Sequence, residues 1–227
     1  GGGRRLLSAA NDATALKTSL LNTLVTVSGT AASYTDQDVQ LTASPLKALT
    51  ADSAAYSSTT LLTASTVLQS LAEGRKGKPM SVTLAKTMTA VQGNILETSE
   101  ARDSTTRNSL QLQFENMKRR VSKGVVQQMS PGEAKVDLSS SVKNQLFAQR
   151  LSRTALSTEK LTTGVNTVGE ANFTIPSGIS SVLGQCAGAQ DLDDGGAGQA
   201  VDARITGNSQ LFPTNGMVVK SRMYGLS

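Results

Sequence analysis

The first 130 residues carry apolar side chains with the three- and four-residue spacing of amphipathic helices. Polar, glycine or proline residues interrupt this spacing and divide it into separate segments. The pattern predicts helices at about 12–27, 33–50, 57–71, 80–98 and 103–128. Pro45 lies inside the second segment, where it is expected to kink or split the helix. The N-terminal part of the chain is therefore predicted to be an all-helical layer.

Each predicted helix has one apolar face that we expect to be buried. On the first helix this face consists of Leu16, Leu20, Leu24 and Val27. The faces of the other four are Val39, Leu46 and Leu49; Leu61, Leu62, Ser65, Leu68 and Leu71; Leu84, Met88, Val91 and Leu96; and Leu110, Phe114, Met117, Val121 and Val125. The methionines on these faces are interpreted as core filler rather than as cofactor ligands.

Two polar signals mark the start of helices. Asn11 or Asp12 is available to cap the first helix. Thr35, with Asp38 three residues later, predicts a capping box at the start of the second.

The pattern changes after the Pro-Gly break in "QMSPGEAK". The segments "KVDL", "NQLFAQRL", "NFTIP", "AVDARI" and "GMVVKSRMYGLS" alternate polar and apolar positions in part, as short strands do. Such strands, separated by turn residues, favour an antiparallel sheet or sandwich. The predicted fold class is α+β: a helical subdomain at 1–130 followed by a partial antiparallel β-sandwich at 131–227. The chain is expected to stop within that sandwich.

Charge does not by itself predict a nucleic-acid partner. The net charge is +5, but only 17% of the residues are charged. The basic clusters "GRKGK" at 74–78 and "KRR" at 118–120 are expected to be solvated surface. Three Tyr, four Phe and no Trp cannot build a stacking platform for single strands. We therefore expect no nucleic acid among the partners.

No segment of the sequence predicts a membrane span or a signal peptide. The longest apolar run, "LLNTLVTV", is interrupted by Asn22 and Thr23, far short of the 18 apolar residues that a span requires. If the parent protein is secreted or anchored, those signals are expected to lie outside this chain.

The usual residues of metal and catalytic sites are scarce. Histidine is absent and there is one cysteine. The acidic stretch "DLDDGG" at 191–196 matches a calcium loop only in part, because Gly195 stands where an oxygen ligand belongs. The sequence has no G-x-S-x-G elbow and no phosphate-binding glycine loop. We therefore predict no enzyme activity, no catalytic residue, no cofactor and no metal.

Asn172 and Cys186 are the two candidate sites of covalent modification. Asn172, Phe173 and Thr174 form an N-x-[ST] acceptor, which makes Asn172 a predicted glycosylation site. Cys186 cannot close a disulfide within the chain because it is the sole cysteine. It is a buried free thiol, a partner for a cysteine elsewhere in a longer protein, or an intermolecular link.

The order of several segments resembles the GAIN-type juxtamembrane module of polycystin-like membrane proteins. The segments are "YTDQDVQLTASPLKALT", "STTLLTASTVLQSLAEG", "MSPGEAKVDLSSS", "ANFTIPSGI" and "GNSQLFPTNGMVVKSRMYGLS". The resemblance covers almost the whole chain and implies a helical subdomain followed by a β-sandwich. It also implies that Phe173 and Ile175 point into the sandwich and that Asn172 faces solvent. The self-cleavage site of such modules would lie beyond Ser227, and the chain has no histidine for it.

The resemblance also implies a function. The expected protein is a non-enzymatic extracellular scaffold that links a stalk or surface assembly to a membrane receptor or channel. Its expected location is the extracellular face of a ciliary or flagellar membrane, with a role in surface architecture or mechanosensation. The expected partners are other segments of the same large protein or a surface filament assembly, and membrane contact would come only through a transmembrane part outside this chain.

Two alternatives come from composition. Helices rich in Ala, Ser, Thr and Gln, with 3% aromatic residues, resemble flagellin and would make the chain a self-assembling filament subunit. Flagellins pair N- and C-terminal helices, whereas residues from about Gly195 onward show no helical stripe. The other alternative is a basic helical protein that binds nucleic acid, for which steeply salt-dependent retention on DNA would be expected.

Overall fold

The computed structural model describes residues 2–28, 34–100, 102–140, 144–152, 160–162, 172–174, 200–207 and 224–226. Side chains are described within 12–28, 34–100, 102–140 and 144–150. The chain divides into two compact units, Gly1–Gly124 and Val125–Ser227. We call the first the helical unit.

Among the described residues the helical unit contains five helices. They are α1 (Gly2–Ser28), α2 (Asp36–Thr50), α3 (Ser58–Gly74), α4 (Val82–Ser99) and α5 (Ser104–Val126). The last two residues of α5 belong to the second unit. Each of the five overlaps a helix predicted from the sequence, although α1 begins ten residues before the predicted start at residue 12. The prediction that Asn11 or Asp12 caps this helix is therefore wrong, because both residues lie inside it.

Polar side chains cap the N-termini of four helices. Ser57 accepts a hydrogen bond from the backbone N–H of Thr60, and Ser81 accepts one from Leu84. These bonds satisfy N–H groups that have no partner within the helix.

The other two caps include a carboxylate. The predicted capping box of Thr35 and Asp38 is confirmed at α2, and hydrogen bonds from Thr35 lower the pKa of Asp38. Ahead of α5, Asp103 accepts bonds from the backbone N–H and the hydroxyl of Thr106, which lower its pKa. Both pKa shifts reflect hydrogen bonds that favour the charged form.

The predicted apolar faces of α2 to α5 form most of the buried core. Leu46, Leu68, Met88 and Phe114 are each 0% exposed. Two predicted members, Leu49 and Leu62, are only half-buried. The prediction succeeds here because each face packs against at least one neighbouring helix.

The predicted inner face of α1 is wrong. Leu16 is 62% exposed, Leu20 46% and Val27 53%, whereas Leu21 is fully buried. Leu21 lies about 100° around the helix from Leu20. The predicted helix is confirmed, but a different side of α1 packs against α2 and α3.

Pro45 does not split α2, which continues from Asp36 to Thr50. The residue whose carbonyl loses its helical partner at a proline is four positions earlier, Leu41. Leu41 and Pro45 are both exposed, so water can reach that carbonyl. On the other side of α2, Ala43 and Leu46 are fully buried and hold the helix in place.

Arg75 joins the ends of three helices. One of its guanidinium nitrogens lies 2.6 Å from Oδ1 of Asp36 at the start of α2, and another donates to the carbonyl of Tyr34 at 2.8 Å. Oδ2 of Asp36 accepts from the N–H of Ser81 at 2.9 Å, just ahead of α4. Because the Arg75 side chain is only 10% exposed, water screens this network less than it screens an ion pair on the surface, and the network stabilises the fold more.

The ring of Tyr34 lies directly against the backbone of Gly74. Tyr34 is 7% exposed, its N–H donates to the carbonyl of Gly74, and its hydroxyl donates to the carbonyl of Ser28 at the end of α1. A Cβ on Gly74 would stand 2.0 Å from Cδ2 of Tyr34. Tyr34 therefore fits only because residue 74 has no side chain.

The described strands all belong to the second unit. They are β1 (Val136–Asp137), β2 (Gln145–Ser152), β3 (Lys160–Thr162), β4 (Asn172–Thr174), β5 (Ala200–Gly207) and β6 (Tyr224–Leu226). One antiparallel sheet has the order β1-β2-β5-β6, and β3 pairs with β4 separately. β2 and β5 pair along all eight residues, with Phe147 opposite Ile205.

The predicted partial β-sandwich at 131–227 is wrong. A sandwich requires two sheets packed face to face, whereas in the described residues only β2 and β5 form a long pair and the other strands have two or three residues. Helices hold most of the described residues. Alternation identified "NQLFAQRL" and "AVDARI" as strands, but it carries no information about whether a second sheet covers them.

Gln92 of α4 is a buried polar residue whose replacement should stabilise the fold. Its side chain is fully buried and neither amide atom has a hydrogen-bond partner among the described residues. A buried polar group without a partner costs about 1–3 kcal/mol. Methionine has a similar unbranched shape and no such demand, so Gln92→Met is expected to raise the free energy of unfolding by about 1 kcal/mol in urea denaturation. Gln37→Met, at an exposed position of α2, should change little. A loss of stability in Gln92→Met would show that the amide is satisfied.

Candidate functional site

A line of exposed residues with heptad spacing runs along α1. Leu16, Leu20 and Val27 are its large members, and Ala13 and Thr23 complete the spacing of three and four residues. Apolar residues at this strict spacing form the seam of coiled coils. We call these five residues the α1 seam.

A second exposed line with the same spacing runs along α2. It consists of Asp38, Leu41, Pro45 and Ala48 of α2 and of Asp52 just after the helix, and Leu41 is 68% exposed. The middle three positions are apolar and the two ends are carboxylates. We call these five residues the α2 seam.

The two seams border one apolar groove of about 270 Å³. Its walls are formed by Leu20, Thr23, Leu24, Pro45, Ala48 and Leu49. Thr23 is the one polar side chain among them. The groove is therefore an open strip of hydrocarbon between two helices.

Contacts at both ends hold α1 and α2 antiparallel. At one end the ammonium of Lys17 lies 3.4 Å from the carboxylate of Asp52, which follows α2. At the other end the hydroxyl of Tyr34, ahead of α2, reaches the carbonyl of Ser28, the last residue of α1. Leu21 is fully buried on the inner side of α1. The Asp52 side chain is 87% exposed, so the ion pair orients more than it stabilises.

The walls of the groove suit the binding of an apolar surface, and they carry no acid, base or nucleophile for catalysis. None of its wall residues titrates, and one hydroxyl is the sole polar group. An apolar strip between two helices is a surface on which an amphipathic helix can bury its own apolar face. Exposed apolar patches of this kind mark interaction sites in soluble proteins.

A second, polar pocket of about 370 Å³ lies at the C-terminal ends of α2 and α4. It is lined by Ala51, Asp52, Ser53, Ala54, Asn94, Glu97, Thr98 and Arg102. Several of these groups already serve the fold. Asn94 donates to the hydroxyl of Thr50 at 3.2 Å, and Ser53 hydrogen-bonds to Thr98. We therefore interpret the polar groups of this pocket as part of the fold rather than as a binding site.

Arg102 and Tyr56, beside the polar pocket, also form hydrogen bonds within the fold. Arg102 donates to the carbonyls of Ala54 and Tyr56, and the Tyr56 hydroxyl donates to the carbonyl of Leu49 at 2.7 Å. Burial raises the pKa of Tyr56, and the charge of Asp52 adds to the effect. Tyr56 therefore stays protonated at neutral pH and acts as a hydrogen-bond donor.

Asn172 and Cys186, the modification sites predicted from the sequence, are more than 100 residues from the groove residues along the chain. Asn172 begins β4, where it stands opposite Thr162 of β3. Cys186 and the acidic stretch 191–196 lie outside the described residues, as does Ile175. Glycosylation of Asn172 and the state of Cys186 stay predictions.

Neither a metal cluster nor a membrane-spanning helix occurs in the part of the chain that the structure describes. No three His, Cys, Asp or Glu side chains there come close enough to hold an ion. None of the helices there combines the length and the apolar character that crossing a bilayer requires.

Three of the groove residues, Leu20, Leu24 and Leu49, belong to faces that the sequence predicts to be buried. Leu20 is 46% exposed, and the other two are half-buried. The strict heptad spacing from Ala13 to Val27 was the available signal, since a helix packed into a globular core has a wider apolar face. Pro45 and Ala48 carried no such signal.

Comparison with known proteins does not place the chain in a family. No protein-family model and no curated protein matches it.

Proposed function

We propose that this chain is a non-enzymatic interaction module that associates with a second copy of itself through the groove between α1 and α2. The observation that carries the proposal is the pair of exposed heptad seams on two adjacent antiparallel helices. The leucines on both seams are 46–68% exposed, and burying their apolar surface would stabilise the association.

A two-fold pairing satisfies both seams at once. Two antiparallel helix pairs that meet through their apolar faces form a four-helix bundle. The same face serves both copies, so the contact closes on itself and stops at two chains. The four helices would pack by inserting side chains of one seam between those of another.

The size of the face suits a weak dimer. α2 has 15 residues and is therefore about 22 Å long. Two helices about 10 Å apart present a face about 20 Å wide, hence on the order of 450 Å² per copy. Both copies together come close to the lower limit of about 1,000 Å² for specific interfaces, so we expect a micromolar dissociation constant.

The sequence of α1 extends the seam beyond the groove. Leu6 and Ala9 continue the spacing of Ala13 and Leu16. α1 has 27 residues, about 40 Å, and is nearly twice as long as α2. The heptad pattern thus runs through three heptads, the length at which it favours a coiled coil.

The proposal keeps the scaffold role and the absence of enzyme activity that the resemblance to polycystin-like modules implies. It rests on the groove rather than on the resemblance, because the described residues do not form the β-sandwich of those modules. An extracellular or ciliary location stays a prediction of the resemblance.

A flagellin-like filament is the alternative form of self-association. Flagellins pair N- and C-terminal helices, whereas the described C-terminal segments Ala200–Gly207 and Tyr224–Leu226 are strands. An open filament also needs two different faces. We therefore favour the closed pair.

Sedimentation velocity of the full chain over a range of concentrations tests the proposal. The wild type is expected to shift from monomer to dimer in the micromolar range. Leu20→Glu combined with Leu41→Glu places charges in both seams and should weaken dimerisation by roughly 100-fold or more, because a buried unpaired carboxylate is costly.

Leu112→Glu is the matched control. Leu112 is 70% exposed on α5, away from both seams in the chain, so its variant should dimerise like the wild type. Thermal unfolding should confirm that the seam variant still folds, since Leu20 and Leu41 are exposed. A wild type that stays monomeric at all concentrations, or that forms open-ended polymers, contradicts the closed pair.

A further inference from the structure

Two basic clusters that are far apart in the sequence lie side by side in the helical unit. The carboxylate of Glu73, near the end of α3, forms ion pairs with Arg120 of α5 and with Lys76, whose ammonium is 3.8 Å away. The N–H of Met80 donates to the carbonyl of Gly124 at 2.8 Å. The turn between α3 and α4 therefore lies against the last turns of α5.

This juxtaposition brings cations of two segments together. Lys76 and Arg120 pair with Glu73, and Lys78, Arg119 and Lys123 lie within two residues of Lys76, Arg120 and Gly124 in the sequence. We call these five cations the basic patch. Lys118 is not a member, because it is fully buried. The expectation that the whole "KRR" cluster is solvated is thus wrong for its first residue, and the same expectation for "GRKGK" is wrong for Arg75, whose side chain is 10% exposed.

The excess positive charge of the protein is confined to the helical unit. Residues 1–124 contain 14 basic and nine acidic side chains, a net charge of +5. Residues 125–227 contain eight of each and are neutral. The basic patch thus lies in the unit that carries the whole excess of positive charge.

We propose that the basic patch is a peripheral docking site for an anionic phospholipid surface. The Lys76 side chain is 70% exposed, and Arg119 and Lys123 are exposed as well. Clustered lysines and arginines are attracted to the negative potential of acidic lipid headgroups, about fivefold in partitioning for each cation near the surface.

The composition of the patch favours a lipid surface over nucleic acid. No aromatic residue lies within the turn 74–80 or the segment 118–124, so a stacking platform for bases is missing there. The apolar residues beside the cations are Pro79, which is exposed, and Val82, which is 37% exposed. Small apolar groups among cations suit the boundary between headgroups and acyl chains.

Cosedimentation with vesicles tests the docking site. The full chain should bind vesicles of phosphatidylcholine mixed with phosphatidylserine and should not bind phosphatidylcholine alone. Lys76→Gln, Lys78→Gln and Lys123→Gln together are expected to lower partitioning by on the order of 100-fold. Raising the salt concentration should weaken wild-type binding, because these charges are at the surface.

A second triple variant separates the patch from the net charge. Lys47→Gln, Lys86→Gln and Arg107→Gln remove the same number of exposed cations elsewhere on the helical unit, and binding should stay within a few-fold of the wild type. Circular dichroism of both variants confirms that they fold.

Three outcomes would overturn the proposal. The first is a wild type that does not bind the acidic vesicles at low salt. The second is an equal loss of binding in both triple variants. The third is tighter binding to duplex DNA than to the vesicles in the same buffer, which would assign the patch to nucleic acid.

Discussion

Gly74→Ala is expected to lower the free energy of unfolding of the helical unit by about 3 kcal/mol. The new Cβ would stand 2.0 Å from Cδ2 and 2.6 Å from Cε2 of Tyr34. The ring cannot yield without losing the bond from its hydroxyl to the carbonyl of Ser28. Urea denaturation followed by circular dichroism measures the change.

Two control variants isolate this steric cause. Gly77→Ala meets nothing within 4 Å and should cost only about 1 kcal/mol, because Gly77 has a φ of +73° that disfavours a side chain. In a Tyr34→Ala background, Gly74→Ala should cost little, since the ring that it strikes is gone. A Gly74→Ala variant as stable as the wild type would contradict the close contact.

Phe114→Ala is expected to destabilise the helical unit by about 3–5 kcal/mol, because it removes a fully buried ring and leaves a cavity. Phe114 belongs to the core-facing side of α5, a helix tied to α3 by the bond from Ser65 to Gln113. The same urea denaturation measures the loss.

Leu112→Ala is the matched control on the same helix. Leu112 is 70% exposed, so its truncation should change the free energy of unfolding by less than about 0.5 kcal/mol. Similar losses for Phe114→Ala and Leu112→Ala would show that α5 does not bury the face assigned to it.

The start of α2 could be predicted because its signal is local. Thr35 and Asp38 are three residues apart and bond to each other's backbone, so their capping box is written in a short segment. The buried spacing from Leu110 to Val121 also repeats within one helix. Such features need no knowledge of the rest of the chain.

The face that α1 buries could not be predicted from its spacing. Leu20 and Leu21 are adjacent leucines, and only the positions of α2 and α3 decide that Leu21 is buried and Leu20 is 46% exposed. The sheets failed for the same reason. β2 and β5 were recognisable as strands, but their pairing across about fifty residues and the lack of a sandwich among the described residues are long-range facts.

The candidate sites were harder still, since neither exists within one segment. The groove needs Leu20 and Leu24 of α1 beside Pro45 and Ala48 of α2. The basic patch needs the α3–α4 turn against α5, a contact that depends on Gly124. A Cβ there would stand 2.8 Å from that of Met80.

The sequence by itself determined five helices, the capping box at the start of α2, most core residues of α2 to α5 and the positive charge, because propensity, capping and amphipathic spacing act over a few residues. Only the tertiary structure decided that the α1 leucines line an open groove, that two basic clusters form one patch and that Lys118 is buried. These outcomes depend on which helices lie side by side, and that is settled by packing between residues far apart in the chain.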